Sequence, residues 1–328
     1  MRNDEHNVAS FVAAVSSGDR RALAQAITLT ESSRADHRET ATDLLRQLMP
    51  TPSTAMRVGV TGVPGVGKST FIESIGLHAV GLGRRVAVLS IDPSSAASGG
   101  SILGDKTRME LLAQQQNAFI RPSPSGTVAG GVARRTREAI VLCESAGFDV
   151  VIVETIGVGQ SETVVADMTD ILLLLMLPNS GDELQGIKRG IMELADLVLV
   201  NKADGEWIDA AQQAVGHYRL ALGLLHPRSR SWTPHVDLCS SKTGDGIPAA
   251  WDRSCDCQRA LIESGELEPR RAAQAWTWMW NEADEILRRS LKDHPEVRAR
   301  LPELEAAVMT GSMPPALAAQ ELLGLFRT

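Results

Sequence analysis

The run Gly62-Val63-Pro64-Gly65-Val66-Gly67-Lys68-Ser69 matches G-x-x-x-x-G-K-[S/T] at every fixed position. Glycines let consecutive backbone N–H groups curl around phosphate oxygens, and the helix start that follows adds positive field. Lys68 is spaced to reach the β- and γ-phosphates of a nucleotide, and the Ser69 hydroxyl to ligate Mg²⁺. Thr70, next along the chain, is counted with Gly62 to Ser69 among the nucleotide-binding residues. An apolar run at 57–60 precedes the motif and an amphipathic stretch at 70–82 follows it, the strand–loop–helix context this chemistry needs. Val63 stands where the deviant phosphate loops of partition-type ATPases carry a second lysine, so no trans-acting lysine is expected.

The base is read further along. Asn201-Lys202-Ala203-Asp204 follows the apolar run 197–200. A carboxylate at Asp204 can accept from the N1–H and exocyclic N2–H₂ of guanine, a donor pair that adenine lacks. Asn201 and Lys202 would brace the neighbouring loop and cover the base. Ser240, Ser241 and Lys242, after the next apolar run, suit a second base-contacting loop. Four residues alone also fit a surface turn; their place at a strand end favours the guanine reader, and GTP or GDP as ligand.

Three acids are candidates for the ion and the attacking water. Asp92 ends the apolar run 86–91 and Glu154 ends 150–153, where phosphates must lie in a doubly wound sheet. Asp105 sits in the Gly-rich, charged stretch 99–108, which has the composition of a mobile switch loop. Mg²⁺ takes few carboxylates and retains waters, so Asp92 and Glu154 would ligate it directly or through water, and Asp105 would ligate it or orient the attacking water. The bland reading of each is a helix cap or a turn. With Lys68 they form the catalytic set, and none is singled out as general base. The segment 178–190 is either an ordinary strand-to-helix connection or a further mobile loop.

These residues need a scaffold. Consecutive apolar runs at 57–60, 86–91, 150–153, 171–177, 197–200 and 236–239 read as strands buried on both faces of a mainly parallel sheet, with helices between. Residues 1–54 read as a helical extension, with a turn and cap at Ser17-Gly18-Asp19; 55–254 as a P-loop nucleotide domain; and 255–328 as a helical region. On its long helix Trp276 and Trp280 share a face with Ala283 and Leu287, expected to be core, while Trp278 points to an interface.

Composition excludes other classes. The 328 residues carry 33 Lys plus Arg against 40 Asp plus Glu, net −7, and 4% aromatics, which speaks against nucleic acid as a partner. Four cysteines do not make a disulfide framework, and Cys255-Asp256-Cys257 lacks the further ligands of a zinc site. No apolar run approaches the roughly 20 residues that span a bilayer, and the first residues lack signal-peptide character, so no membrane association and a cytoplasmic location are expected.

The segments 59–70, 92–95, 99–109, 121–124, 130–143, 154–162 and 201–204 together resemble the MeaB family of P-loop GTPases, which includes ArgK and MMAA. The stretches 100–109 and 154–162 are far more specific than the phosphate loop; Ala96-Ala97-Ser98 departs from the family's usual Pro and Thr. The resemblance implies a Mg²⁺-dependent GTPase that chaperones adenosylcobalamin-dependent methylmalonyl-CoA mutase, gating cofactor loading and guarding against inactivation. It implies a homodimer through the C-terminal helices, Glu154 in place of a commoner Asp, and a third switch at 178–190, where Asp182, Gln185 and Lys188 would couple to the mutase. Alternatives are a kinase for a transport-binding protein and a metallochaperone GTPase, the latter needing a Cys/His cluster.

Overall fold

Apolar residues at consecutive positions cannot turn alternate side chains to water, so a sheet built from them must be covered on both faces. The computed structural model describes residues 2–32, 34–49, 53–92, 109–124, 129–155, 161–178 and 189–327. Strands β1 (Met56–Gly62), β2 (Val86–Asp92), β3 (Ala118–Pro124), β4 (Val150–Thr155), β5 (Ile171–Met176), β6 (Leu197–Val200) and β7 (His235–Leu238) form one sheet. Its order is β3-β2-β4-β1-β5-β6-β7, and every neighbouring pair is parallel.

Helices α1 (Arg2–Ser16), α2 (Arg20–Glu31) and α3 (Ala35–Leu48) precede the sheet. Between strands come α4 (Lys68–Gly81), the single turn α5 (Glu110–Ala113), α6 (Ala129–Ser145), α7 (Ser161–Ala166), α8 (Arg189–Leu194) and α9 (Ile208–Gly223). After the last strand follow α10 (Ile247–Glu263), α11 (Leu267–Asp293), α12 (Pro295–Met309) and α13 (Pro315–Phe326). On one face α4 and α10 cover the sheet, packing Phe71, Ile72, Ile75, Trp251 and Leu261 onto Val58, Val60, Ile152 and Leu173. Full burial of each such large apolar side chain contributes about 1.5–3 kcal/mol. Among the described residues no helix is long and apolar enough to cross a membrane.

The fold is the expected α/β architecture with one strand more than the apolar runs mark. β3, Ala-Phe-Ile-Arg-Pro-Ser-Pro, carries two prolines and an arginine. It lies at the sheet edge, where it pairs only with β2 and a missing N–H on the outer side breaks no ladder.

The first helices pack on β3 and α6. Asp19 caps α2 as its position suggests, its Oδ1 accepting from the N–H groups of Arg21 (2.7 Å) and Ala22 (2.9 Å). Leu23, Ala26, Ile27 and Leu44 are fully buried. Across this contact Arg121 of β3 pairs with Glu31 of α2 and donates to Thr28 Oγ1 at 3.2 Å.

The chain forms two compact units, Met1–Gln274 and Ala275–Thr328. The change of region expected at 254/255 falls inside α10, whose Cys257 and Leu261 belong to the core of the first unit. In the second unit α12 packs with α13: Val297, Leu304 and Ala318 are buried, and Arg300 Nε meets Glu321 Oε1 at 2.8 Å. The tryptophan face departs from expectation. Trp276 and Trp280 touch edge-to-face at 6.4 Å between centroids, yet are 64% and 52% exposed, with Leu287 at 58%. Trp278, expected to point outward, is the half-buried one.

At the amino-terminal edge of the sheet the Asp170 carboxylate is wholly buried. It accepts from Arg57 N–H at 3.1 Å and from Arg271 Nε and Nη2 at 2.9 and 2.6 Å, while Arg271 Nη2 also donates to the Ala55 carbonyl at 2.7 Å. Removing one partner of a buried pair strands the other charge, at about 3–5 kcal/mol. Arg271→Ala should therefore lower the urea-unfolding free energy by about that amount, and Asp170→Leu combined with Arg271→Met should lose less than Arg271→Ala.

Candidate functional site

Parallel strands all end at one edge, and ligands of open α/β sheets bind in the crevice beyond those carboxyl ends. Gly62, Asp92, Thr155, Val200 and Leu238 end β1, β2, β4, β6 and β7. The phosphate-loop motif, Glu154, the turn from Asn201 and the turn from Ser240 are thereby delivered to the same edge.

The loop enters α4 through Gly67 at φ +95°, a left-handed conformation that glycine takes at no steric cost. A Cβ there would come within 2.9 Å of Asn201 Nδ2. Val66 is fully buried, while Pro64, Gly65 and Thr70 are exposed along the loop. Lys68 Nζ donates to the carbonyls of Gly62 (2.8 Å) and Val63 (3.1 Å), which hold the ammonium on the loop itself.

Glu154 is 4% exposed, a position where a carboxylate needs donors. Ser69 Oγ donates to its Oε1 and Ser90 Oγ to its Oε2, both at 2.8 Å. A hydroxyl has one proton and two lone pairs, so Ser69, having given its proton to Glu154, keeps its lone pairs for a cation. Hydroxyl and carboxylate oxygens are the hard donors that Mg²⁺ takes, and the pair therefore fits that ion.

Asn201 is 1% exposed and ties two loops together. Its Nδ2 donates to the Val66 carbonyl at 2.8 Å, and its Oδ1 accepts from Ser241 N (3.0 Å) and Ser241 Oγ (2.9 Å). Cys239 Sγ approaches the same Oδ1 at 3.6 Å. Burial pushes that thiol up to about 12, so it stays a neutral donor. Lys202 has φ +61°, the one non-glycine residue with positive φ among those described. Such a conformation costs of order 1–3 kcal/mol and persists only where the surroundings impose it; here Ala203 N–H donates to the Cys239 carbonyl at 3.1 Å. The Asp204 carboxylate accepts from Ser240 Oγ. Ser240 N–H donates to Asp245 O at 2.8 Å, closing the second turn, and Gly246 at φ +75° leaves it where a Cβ would overlap the Leu238 carbonyl. Lys202 and Lys242 are exposed.

The structure thus brings together Gly62 to Thr70, Glu154, Asn201 to Asp204 and Ser240 to Lys242. Asp92 ends β2 at this edge, but its side chain lies outside what is described, as do Asp105, Asp182, Gln185 and Lys188 altogether. Ser90 was not among the expected residues. Its signal is a hydroxyl in the otherwise apolar run Val86-Ala87-Val88-Leu89-Ser90-Ile91, a polar side chain in a strand covered on both faces. A cavity of about 720 Å³ opens at the opposite edge, beside Met56, Arg57, Glu144 and Trp251, and holds none of the nucleotide residues. Among the described residues no group of three or more His, Cys, Asp or Glu side chains is placed to share a metal, and burial raises the Cys255 and Cys257 thiols above their ordinary range.

Residues 23–296 match the family described as methylmalonyl Co-A mutase-associated GTPase MeaB. The chain is 55% identical over 309 residues to a putative GTPase of Caulobacter vibrioides, with 94% of each chain covered. It is 47% identical over 322 residues to the methylmalonic aciduria type A homolog, mitochondrial, of Mus musculus, covering 95% of this chain and 77% of that one. A solved structure described as a LAO/AO transport system kinase shares 37% identity at a TM-score of 0.76, with 99% of each chain covered. A phosphate loop, a turn spaced for guanine, a matching GTPase family and relatives named as GTPases converge: the chain is a GTP hydrolase and belongs to the family of methylmalonyl Co-A mutase-associated GTPases.

Proposed function

We propose that this GTPase binds GTP with Mg²⁺ at the carboxyl edge of the sheet and uses its nucleotide state to chaperone an adenosylcobalamin-dependent methylmalonyl-CoA mutase. The observation that carries the nucleotide part is the Asn201 side chain, which bonds Val66 of the phosphate loop and Ser241 of the second base loop at once. Phosphate grip and base grip are then one rigid unit, spaced for a guanine nucleotide. Asp204, held by Ser240, accepts from guanine N1–H and N2–H₂. Lys202 and Lys242 cover the base.

Phosphoryl transfer asks for positioning and charge neutralisation and little covalent chemistry. The backbone N–H groups of residues 62–70, apart from Pro64, which has none, cradle the phosphates, and Lys68 exchanges its bonds to Gly62 and Val63 for β- and γ-phosphate oxygens. Ser69, held by Glu154, would take Mg²⁺ with Asp92 and Asp105. Bound there, the ion supplies neutralising charge to the phosphate oxygens.

The mutase part is supported by the family's description and by the name of the mouse relative. Asp182, Gln185 and Lys188 are proposed to carry the nucleotide state to that partner, which would gate cofactor loading and guard the mutase against inactivation. A homodimer through the second unit is supported by the exposed stripe Trp276, Met279, Trp280, Ile286 and Leu287 on α11, since a second copy offers the same apolar stripe in return. A second reading, phosphoryl transfer to a transport protein, is favoured only by the name of one structural relative.

Hydrolysis of GTP should run below about 1 s⁻¹ alone, the range of unassisted GTPases, and accelerate with purified mutase. A pull-down in GDP and in a non-hydrolysable GTP analogue should retain the mutase in one state more than the other. Binding in neither state would remove the chaperone reading; label from γ-phosphate-labelled GTP appearing on protein in place of free phosphate would favour the kinase. Asp204→Ala should weaken GDP roughly a hundredfold, the loss of a charge-assisted hydrogen-bond pair, and leave ADP binding as weak as before. Trp280→Glu should turn a dimer into a monomer in sedimentation while basal hydrolysis is retained.

A further inference from the structure

The geometry points to Ser90 as a positioning residue for the cation: its hydroxyl fixes the Glu154 carboxylate, which in turn aims the Ser69 lone pairs. This rests on the Mg²⁺ reading above and extends it by a residue that touches neither nucleotide nor ion.

Ser90 lies on β2 and Glu154 on β4, adjacent strands, and the two are register partners, so their side chains project from the same face. Ser90 is fully buried. Its Oγ meets Glu154 Oε2 at 2.8 Å while Ser69 Oγ meets Oε1 at 2.8 Å. The terminal torsion of a glutamate is broad, so a carboxylate held by one oxygen swings about it. Held by both oxygens from two directions, its plane is set. The oxygen facing Ser69 is then fixed, the Ser69 proton is committed to it, and the remaining lone pairs of Ser69 point where a cation can use them. Groups that orient a metal ligand in this way typically matter about 10–100-fold in metal affinity.

A packing role makes a different demand. Val88 and Leu89, beside Ser90 in the strand, are fully buried and apolar. If Ser90 only filled space, alanine would serve at least as well there.

The test is the affinity for a fluorescent GDP in excess EDTA and in excess Mg²⁺, measured on the full chain and on the variants Ser90→Ala and Ser90→Cys. The ratio of the two affinities is the coupling between metal and nucleotide. For Ser90→Ala the ratio should fall about tenfold with the EDTA affinity unchanged. Ser90→Cys, similar in volume and a weaker donor, should lie between. An unchanged ratio in Ser90→Ala, or a loss of affinity that is equal with and without Mg²⁺, overturns the role. If the unaltered chain itself gains no affinity from Mg²⁺, the cation reading falls, and the role of Ser90 falls with it.

Discussion

Everything in the first unit follows from one constraint: its strands are parallel. A parallel pair cannot be joined by a hairpin, so each connection must travel the length of the sheet, and the loops separate into two sets at opposite edges. One edge collects strand ends and the loops that leave them, and it holds Gly62 to Thr70, Glu154, Asn201 and Ser240. The other collects strand starts, and it holds ties with no part in the nucleotide site. There Asp170 accepts the Arg57 N–H, Asp196 accepts the Leu172 N–H at 2.9 Å, and Arg57 pairs with Glu144. Chemistry and anchorage are thus kept the length of a strand apart.

The polar groups at the working edge form two buried networks, each centred on one side chain. Glu154 gathers the hydroxyls of Ser69 and Ser90; Asn201 gathers Val66, Ser241 and Cys239. In a low-dielectric setting such networks are rigid when every member is satisfied and costly when one is not. The first therefore suits a site for charge, where the orientation of a carboxylate decides what the neighbouring hydroxyl can bind. The second suits a splint between loops that grip opposite ends of one ligand. Its tightness shows in Gly67, where even a Cβ would press on the Asn201 amide.

Outside the sheet the two ends of the chain behave differently. The N-terminal helices are built into the first unit: they pack on β3 and α6, and the Arg121–Glu31 pair joins them to the edge strand. The second unit has a modest core in Val297, Leu304 and Ala318, and leaves an aromatic and aliphatic stripe of α11 in solvent.

Local pattern made much of this legible. The phosphate loop, the guanine-spaced turn and the cap at Asp19 are short-range devices: the residues that act together lie within a few positions, so their spacing carries the geometry. Apolar runs likewise marked every strand except β3, whose prolines are tolerated only because the strand falls at an edge, and edge position is a property of the sheet. The tryptophan stripe has helical period, but period alone does not say whether a face meets a core or water. Ser90 with Glu154, Asn201 with Val66 and Arg271 with Asp170 lie 64, 135 and 101 residues apart. The amino-acid sequence by itself determined which chemistry the chain carries. Only the tertiary structure decided which side chains hold that chemistry in place, because strand order sets those partnerships and no local spacing encodes strand order.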